Sequence, residues 1–199
     1  MRRSVWEETT VSIIESPEPS EATGAVAELY AEDIDDLGYV PEYTRVLSTN
    51  PEAFRAFEDL VRTIVPTLGK RRYELVTLAA AQALRSQHCR LAHGRKTLTI
   101  MDEAELERIA RDYHDAGLSE AEVAMMEYAE RLSTDSSAMT PDDAGRLRDL
   151  GFTDREIVDI TLAAAVRNYF SRAIQALGVA VEVPPDLSER LRGALLAPL

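Results

Sequence analysis

The stretch Glu74-Leu-Val-Thr-Leu-Ala-Ala-Ala-Gln-Ala-Leu-Arg-Ser-Gln-His-Cys-Arg-Leu-Ala-His93 decides the reading of this chain. It can be laid without gaps on the stretch that begins at Glu156. Glu74 falls on Glu156, Ala81 on Ala163, Ala83 on Ala165, Arg85 on Arg167 and Arg90 on Arg172. Two long helices of similar pattern, 82 residues apart, predict a duplicated helical unit packed about a pseudo-two-fold axis. The copies differ where chemistry is concerned. Ser86, His88, Cys89 and His93 stand opposite Asn168, Phe170, Ser171 and Gln175, so the titratable groups sit in the first copy alone.

Outward from this pair, the chain reads as helix after helix. Asn50-Pro51-Glu52 has a capping residue followed by proline at the first helical position, and Phe54, Phe57, Leu60, Val61 and Ile64 then recur at helical spacing. Ser119 to Glu122 and Thr153 to Glu156 have the capping-box form. Thr140-Pro141 opens another helix that Gly151 closes, and Gly38, Gly117 and Gly178 are placed to end others. The strand-like stretches, Thr10 to Ile14, Thr97 to Ile100 and Val179 to Val183, are short and do not alternate with helices as a parallel sheet requires. The fold class expected is all-α. Residues 1–18, with Pro17 and Pro19 nearby and no periodicity, read as an N-terminal arm; 19–183 read as the helical domain and 184–199 as a tail with one short helix from Leu187 to Leu196.

Composition narrows the classes of function. The chain has 199 residues, a net charge of −13 and 45% hydrophobic residues, enough for one domain-sized core. An acidic chain without a long basic tract is a poor nucleic-acid binder. No apolar run approaches the roughly 18 residues of a membrane span, and Met1-Arg-Arg-Ser-Val-Trp lacks the form of a secretory signal. Cys89 is the single cysteine, which excludes an internal disulfide framework and fits a reducing compartment. A soluble, cytoplasmic protein is expected, with no nucleic-acid or membrane partner.

Cys89 and His93 lie four residues apart and share a helix face, with Ser86 three residues before the cysteine. An unbroken helix brings Glu74 near the same face. If the helix instead breaks near Arg85, Ser86 becomes an N-cap and Cys89 the third helical residue, at the positive end of a helix dipole. Either geometry lets a carboxylate, a hydroxyl, a thiol and an imidazole converge. From Lys70 to Lys96 seven basic residues face one acid, Glu74, and such a field favours the reactive thiolate form of Cys89.

The pattern Glu-x11-[Cys or Ser]-x-His-Cys-x-x-x-His, carried by Glu74, Ser86, His88, Cys89 and His93, resembles the active-site signature of alkylhydroperoxidase D in the carboxymuconolactone decarboxylase superfamily. The similarity runs from Pro19-Ser-Glu-Ala-Thr-Gly through Asn168-Tyr-Phe-Ser-Arg to Gly178 and is strongest to the peroxidase-related branch. The resemblance implies an all-helical, internally duplicated fold that assembles as a trimer or hexamer, or as a dimer. It implies a peroxide-reacting thiol at Cys89, a proton relay of Glu74 and His93, and an accessory imidazole at His88. It departs at Ser86, where those peroxidases have a second cysteine. A two-cysteine cycle is thereby closed to this chain. What the residues allow is a one-cysteine cycle on a hydroperoxide, with an external thiol as reductant and no bound cofactor.

Two rivals stand beside that expectation. One is a lyase resembling carboxymuconolactone decarboxylase, in which Glu74 and His93 do acid–base work on an anionic substrate. The other is a non-catalytic helical oligomer. Metal binding is disfavoured, since one cysteine and two histidines at these spacings lack a fourth ligand. Glu156 reads as a structural capping residue, His114 has no evident partner, and Met125, Met126 and Tyr128 read as packing residues.

Overall fold

A computed structural model describes residues 13–197 of the chain. Among these residues ten α-helices follow one another: α1 (Gly24–Leu37), α2 (Glu42–Leu47), α3 (Pro51–Leu68), α4 (Lys70–Ala83), α5 (Gln87–Thr97), α6 (Glu103–Arg111), α7 (Glu120–Asp135), α8 (Pro141–Asp149), α9 (Asp154–Ala176) and α10 (Glu189–Leu196). Two single 3-10 turns, Tyr113–Asp115 and Ser136–Ala138, complete them, and no described residue is in a strand. The segments 97–100 and 179–183, whose β-branched residues read as strand-like, finish α5 and follow α9 instead. Of the stretch Thr10 to Ile14 only Ile13 and Ile14 are described, and they form a bend rather than a strand; residues 1–12 of the arm fall outside the described residues.

The caps form as the side chains dictate. Asn50 accepts the Ala53 N–H at 3.1 Å. Ser119 and Glu122 form a reciprocal capping box, and Thr153 and Glu156 do likewise, through Thr153 N–H to Glu156 at 2.8 Å and Glu156 N–H to Thr153 at 3.2 Å. Each satisfies N–H groups that a helix start leaves unpaired.

The chain divides into two compact units, with boundaries inside α3 and α9. The first contains the described part of Met1–Glu58 together with Ala173–Glu182. In it Arg55 pairs with Glu32 at 2.6 Å and Arg45 with Glu18 at 2.7 Å. The second, Asp59–Arg172 with Val183–Leu199, holds every residue of the constellation around Cys89. Helix α4 is its centre. Leu75, Val76, Ala80 and Ala81 are wholly buried, and Leu78 and Ala79 nearly so, as expected of a helix that is apolar all round. Helix α4 packs chiefly on α7 and α5, where Met125 and Met126 of α7 lie in the core.

Helix α10 packs on α5 and α6. Arg90, buried on α5, donates to the carbonyls of Ala110 (2.9 Å), Ala194 (3.1 Å) and Ala197 (3.1 Å). One guanidinium therefore satisfies carbonyls near the C-terminal ends of two helices, where no intrahelical donor is left.

Candidate active site

The helix of the quoted stretch breaks. The Arg85 N–H bonds Gln82 O and the Ser86 N–H bonds Ala81 O, both at 2.9 Å, the pairing of a Schellman motif with Arg85 in the position usually taken by glycine. Arg85 accordingly adopts φ 53°, a left-handed conformation that costs a side-chain-bearing residue about 1–2 kcal/mol. Of the two geometries open from sequence, the broken one is found. Ser86 is the N-cap of α5, Gln87 and His88 follow, and Cys89 is the third helical residue. The first bond inside the turn runs from the Arg90 N–H to Ser86 O at 3.0 Å, so the thiol lies at the positive end of α5.

The break lets α4 and α5 turn Glu74 and His93 toward each other. Glu74 Oε2 and His93 Nδ1 are 2.7 Å apart, both side chains buried. Burial pushes the His93 imidazole down to about 4; the charge of Arg167 acts in the same direction, and Glu74 opposes both. Burial also pushes the Glu74 carboxyl up, but the pull of His93, Lys96 and Arg167 outweighs it and holds the group below its ordinary value. At neutral pH the pair is therefore an ionised carboxylate and a neutral imidazole. With Glu74 as acceptor, the ring proton belongs on Nδ1, which leaves Nε2 a free base. Tyr73 sets its ring edge-on to His93, with centroids 6.3 Å apart.

Cys89 is 1% exposed, but its surroundings are polar. Its sulfur accepts hydrogen bonds from Ser171 Oγ at 3.2 Å and Arg167 Nη1 at 3.5 Å, both on α9. Helix α9 is held for this by Asn168 Nδ2 on Ser133 Oγ at 2.8 Å and by Tyr128 and Thr161, whose hydroxyls are 3.0 Å apart. Buried hydroxyls at Thr77 and Ser86 have no hydrogen-bond partner, and neither do Thr44 and the Nε of Arg45 in the first unit; the Tyr73 hydroxyl interacts with Arg167.

Three arginines of the basic run Lys70 to Lys96 are drawn into ion pairs, while Lys96 acts on Glu74 and His93. Arg71 pairs with Glu105 and Glu122, both at 2.7 Å. Arg72 pairs with Glu156 at 2.5 Å, and Arg95 with Asp186 at 2.8 Å. Lys70 donates to Thr99, and Arg90 is spent on helix carbonyls. The cation at the sulfur is Arg167, buried and held protonated against the cost of burial by Cys89 and Tyr73. His88, the accessory imidazole that the resemblance implies, is buried. Ser86 occupies the N-cap, yet its side chain makes no capping bond. Glu156 is structural as expected, and His114 has partners after all, in Asp112 at 3.1 Å and Glu127 at 3.4 Å. No group of three or more His, Cys, Asp or Glu side chains among the described residues is arranged to hold a metal ion.

No protein-family model matches the chain, and no curated protein matches it in sequence. Solved structures do match. An alkylhydroperoxidase AhpD core, an uncharacterised peroxidase-related protein from Ralstonia eutropha JMP134, superposes with a TM-score of 0.77 at 22% identity, over 94% of this chain and 98% of that one. An uncharacterised peroxidase-related protein from Silicibacter sp. TM1040 gives 0.70 at 21%, over 85% and 95%. The chain has the AhpD-like fold. A third structure with this similarity is the debrominase Bmp8, as a cysteine-to-alanine variant in complex with 2,3,4-tribromopyrrole, with a TM-score of 0.72 at 16% identity over 93% and 98%. Within this AhpD-like chain, sequence reasoning named Glu74, Ser86, His88, Cys89 and His93 but missed Arg167 and Ser171 at the sulfur and Tyr73 against His93. The signal for two of them was present: the 82-residue offset lays Ser171 on Cys89 and Arg167 on Arg85.

Proposed function

We propose that this protein is a thiol-dependent peroxidase that reduces small hydroperoxides through Cys89 alone. The observation that carries the reading is the polar embrace of one buried sulfur. Ser171 and Arg167 donate to Cys89, and the ionised Glu74 and neutral His93 stand on the two helices that meet at the break beside it. Nε2 of His93 accepts the thiol proton, and Glu74 steadies the imidazolium that results. The thiolate attacks the terminal oxygen of the hydroperoxide, an S–O bond forms and the O–O bond breaks. His93 returns the proton to the departing oxygen, which leaves as alcohol or water. An external thiol then condenses with the sulfenic acid, releasing water and forming a mixed disulfide, and a second thiol restores Cys89. Proteins with the AhpD-like fold described as peroxidase-related support this reading.

The lyase alternative asks for positive charge to hold an anionic substrate. The buried cation here, Arg167, already faces the Glu74 carboxylate and the Cys89 sulfur, which suits a neutral substrate better. Likeness to a debrominase favours a second electrophile for the same sulfur, a bromine on an electron-rich ring. That reaction would move bromine to sulfur and a proton to carbon, with the external thiol then releasing bromide.

Assembly belongs to the proposal. Val158, Leu162 and Tyr169 lie on one face of α9 and are 52%, 40% and 54% exposed, an apolar stripe that a homo-oligomer of this chain would cover. No helix of the described residues is long and apolar enough to cross a membrane, and we place the protein in the reducing cytoplasm on the strength of its lone free thiol.

Treating the protein with one equivalent of alkyl hydroperoxide and a sulfenic-acid trap should yield an adduct on Cys89. Peroxide consumption in the presence of excess thiol should vanish in Cys89→Ala. No adduct, or equal turnover by Cys89→Ala, would remove the reading. Activity that survives Cys89→Ala and is lost in His93→Gln would establish the lyase instead, and bromide release from 2,3,4-tribromopyrrole without peroxide turnover would favour the debrominase.

A further inference from the structure

Tyr73 is buried on α4, one residue before Glu74. Its ring stands edge-on to His93, with centroids 6.3 Å apart, and its hydroxyl is hydrogen-bonded to Arg167. One side chain of α4 therefore touches the base on α5 and the cation on α9. Phenylalanine would fill the same space with no hydroxyl to take out of water, and a buried phenol offsets that cost only through a partner. Arg167 is a partner already committed to the thiol: it is buried, its Nη1 donates to Cys89 Sγ at 3.5 Å, and its face lies over the Phe170 ring at 5.3 Å from the centroid. The hydroxyl thus acts where the guanidinium does.

Moving the thiol proton makes that hydroxyl necessary. Once Nε2 of His93 takes the proton from Cys89, the site holds two cations, an imidazolium and the Arg167 guanidinium, and their repulsion is poorly screened where water is excluded. Glu74 from α4 opposes the new charge, whereas Lys96 from α5 and Arg167 from α9 act against it. A guanidinium held to the sulfur by one hydrogen bond is free to swing about it and retreat from the imidazolium, which would leave the thiolate without its counter-charge. A second bond from a fixed point removes that freedom. We propose that Tyr73 is a positioning residue, whose hydroxyl accepts a hydrogen bond from Arg167 and keeps the guanidinium on the Cys89 sulfur while its ring edge braces His93. Tyr73 and Glu74, adjacent on one helix, then set the cation and the base independently.

This inference deepens the peroxidase reading and rests on it, and the experiment keeps their failures apart. The chain has one cysteine, so alkylation by iodoacetamide reports on Cys89 and needs no hydroperoxide. Alkylation rates against pH, and oxidation rates with an alkyl hydroperoxide, are measured for the unsubstituted protein, Tyr73→Phe, Arg167→Met and the double variant. Tyr73→Phe keeps the ring and removes only the hydroxyl. We expect its alkylation profile to move up by about one pH unit, with both reactions about 10-fold slower near pH 7 and the high-pH alkylation plateau unchanged, because the thiolate loses a fixed counter-charge. Arg167→Met should move the profile at least as far, and adding Tyr73→Phe to it should change the rates less than about 2-fold, since the hydroxyl acts through the guanidinium. A hydroxyl that served the fold alone would lower the urea midpoint and leave the profile in place, and that result would overturn the proposal, as would full additivity in the double variant. Should Arg167→Met fail to fold, the Tyr73→Phe profile decides by itself. A profile that moves as expected in a protein that no hydroperoxide oxidises would uphold the role of Tyr73 and overturn the peroxidase reading instead.

Discussion

His93 Nδ1 lies 2.7 Å from Glu74 Oε2, and the pair is shut away from water on two helices joined by a three-residue turn with the left-handed Arg85 at its centre. Burial decides the protonation of the ring. In the unfolded chain an imidazole takes up a proton as pH falls through about 6.5, whereas the folded one resists until about 4. The unfolded state therefore binds more protons in that window, and acid favours it. Stability is full above about pH 6.5 and falls as pH drops toward 4, by on the order of 3 kcal/mol for this ring. Urea denaturation at about pH 7.5 and about pH 4.5 checks it, because His93→Gln lacks this acid-induced loss. Parallel stability curves for the two proteins would mean that the ring is charged when folded.

Much of the frame was legible because it rests on local rules. Asn50, Ser119, Thr140 and Thr153 each start a helix, and the i, i+3 partners that mark the boxes at Ser119 and Thr153 can be read from the chain alone. Part of the local charge near Cys89 was misread for the opposite reason. Arg71, Arg72 and Arg95 sit near the cysteine in sequence, but their charges are taken by Glu105, Glu122, Glu156 and Asp186, 34 to 91 residues away. The groups that do reach the sulfur, Arg167 and Ser171, come from 78 and 82 residues away. No periodicity within α5 carries that information. Only the offset of 82, which superposes Ser171 on Cys89, pointed to it.

Ser86 stands three residues before Cys89 at the start of α5, with a buried hydroxyl that bonds nothing. Replacing it by cysteine breaks no hydrogen bond, and a thiol tolerates such burial well. Residues three apart at a helix start have Cα atoms about 5–6 Å apart, within the range a disulfide spans. In Ser86→Cys the sulfenic acid formed on Cys89 should be attacked by the new thiol, releasing water. One equivalent of hydroperoxide would then consume both thiols, leave no trappable sulfenic acid and lower the protein mass by two hydrogens. A sulfenic acid that persists in this variant would place the two side chains out of reach of each other.

Gly94 and Leu195 fix how closely α10 approaches α5. A Cβ added at Gly94 would lie 2.5 Å from Leu195 Cδ1, and Leu195 is wholly buried, so its side chain has no open space to swing into. Gly94→Ala must displace the Leu195 side chain or push α10 outward, and with it the Ala194 and Ala197 carbonyls that Arg90 holds. Overpacking of this kind costs about 1–3 kcal/mol, and Leu195→Ala alone, by leaving a cavity, about 2–5 kcal/mol. The new methyl fills part of that cavity, so the double variant should be at least about 1 kcal/mol more stable than the sum of the single losses. Denaturant melts of the four proteins measure that coupling directly. Strict additivity would show that the two positions do not meet.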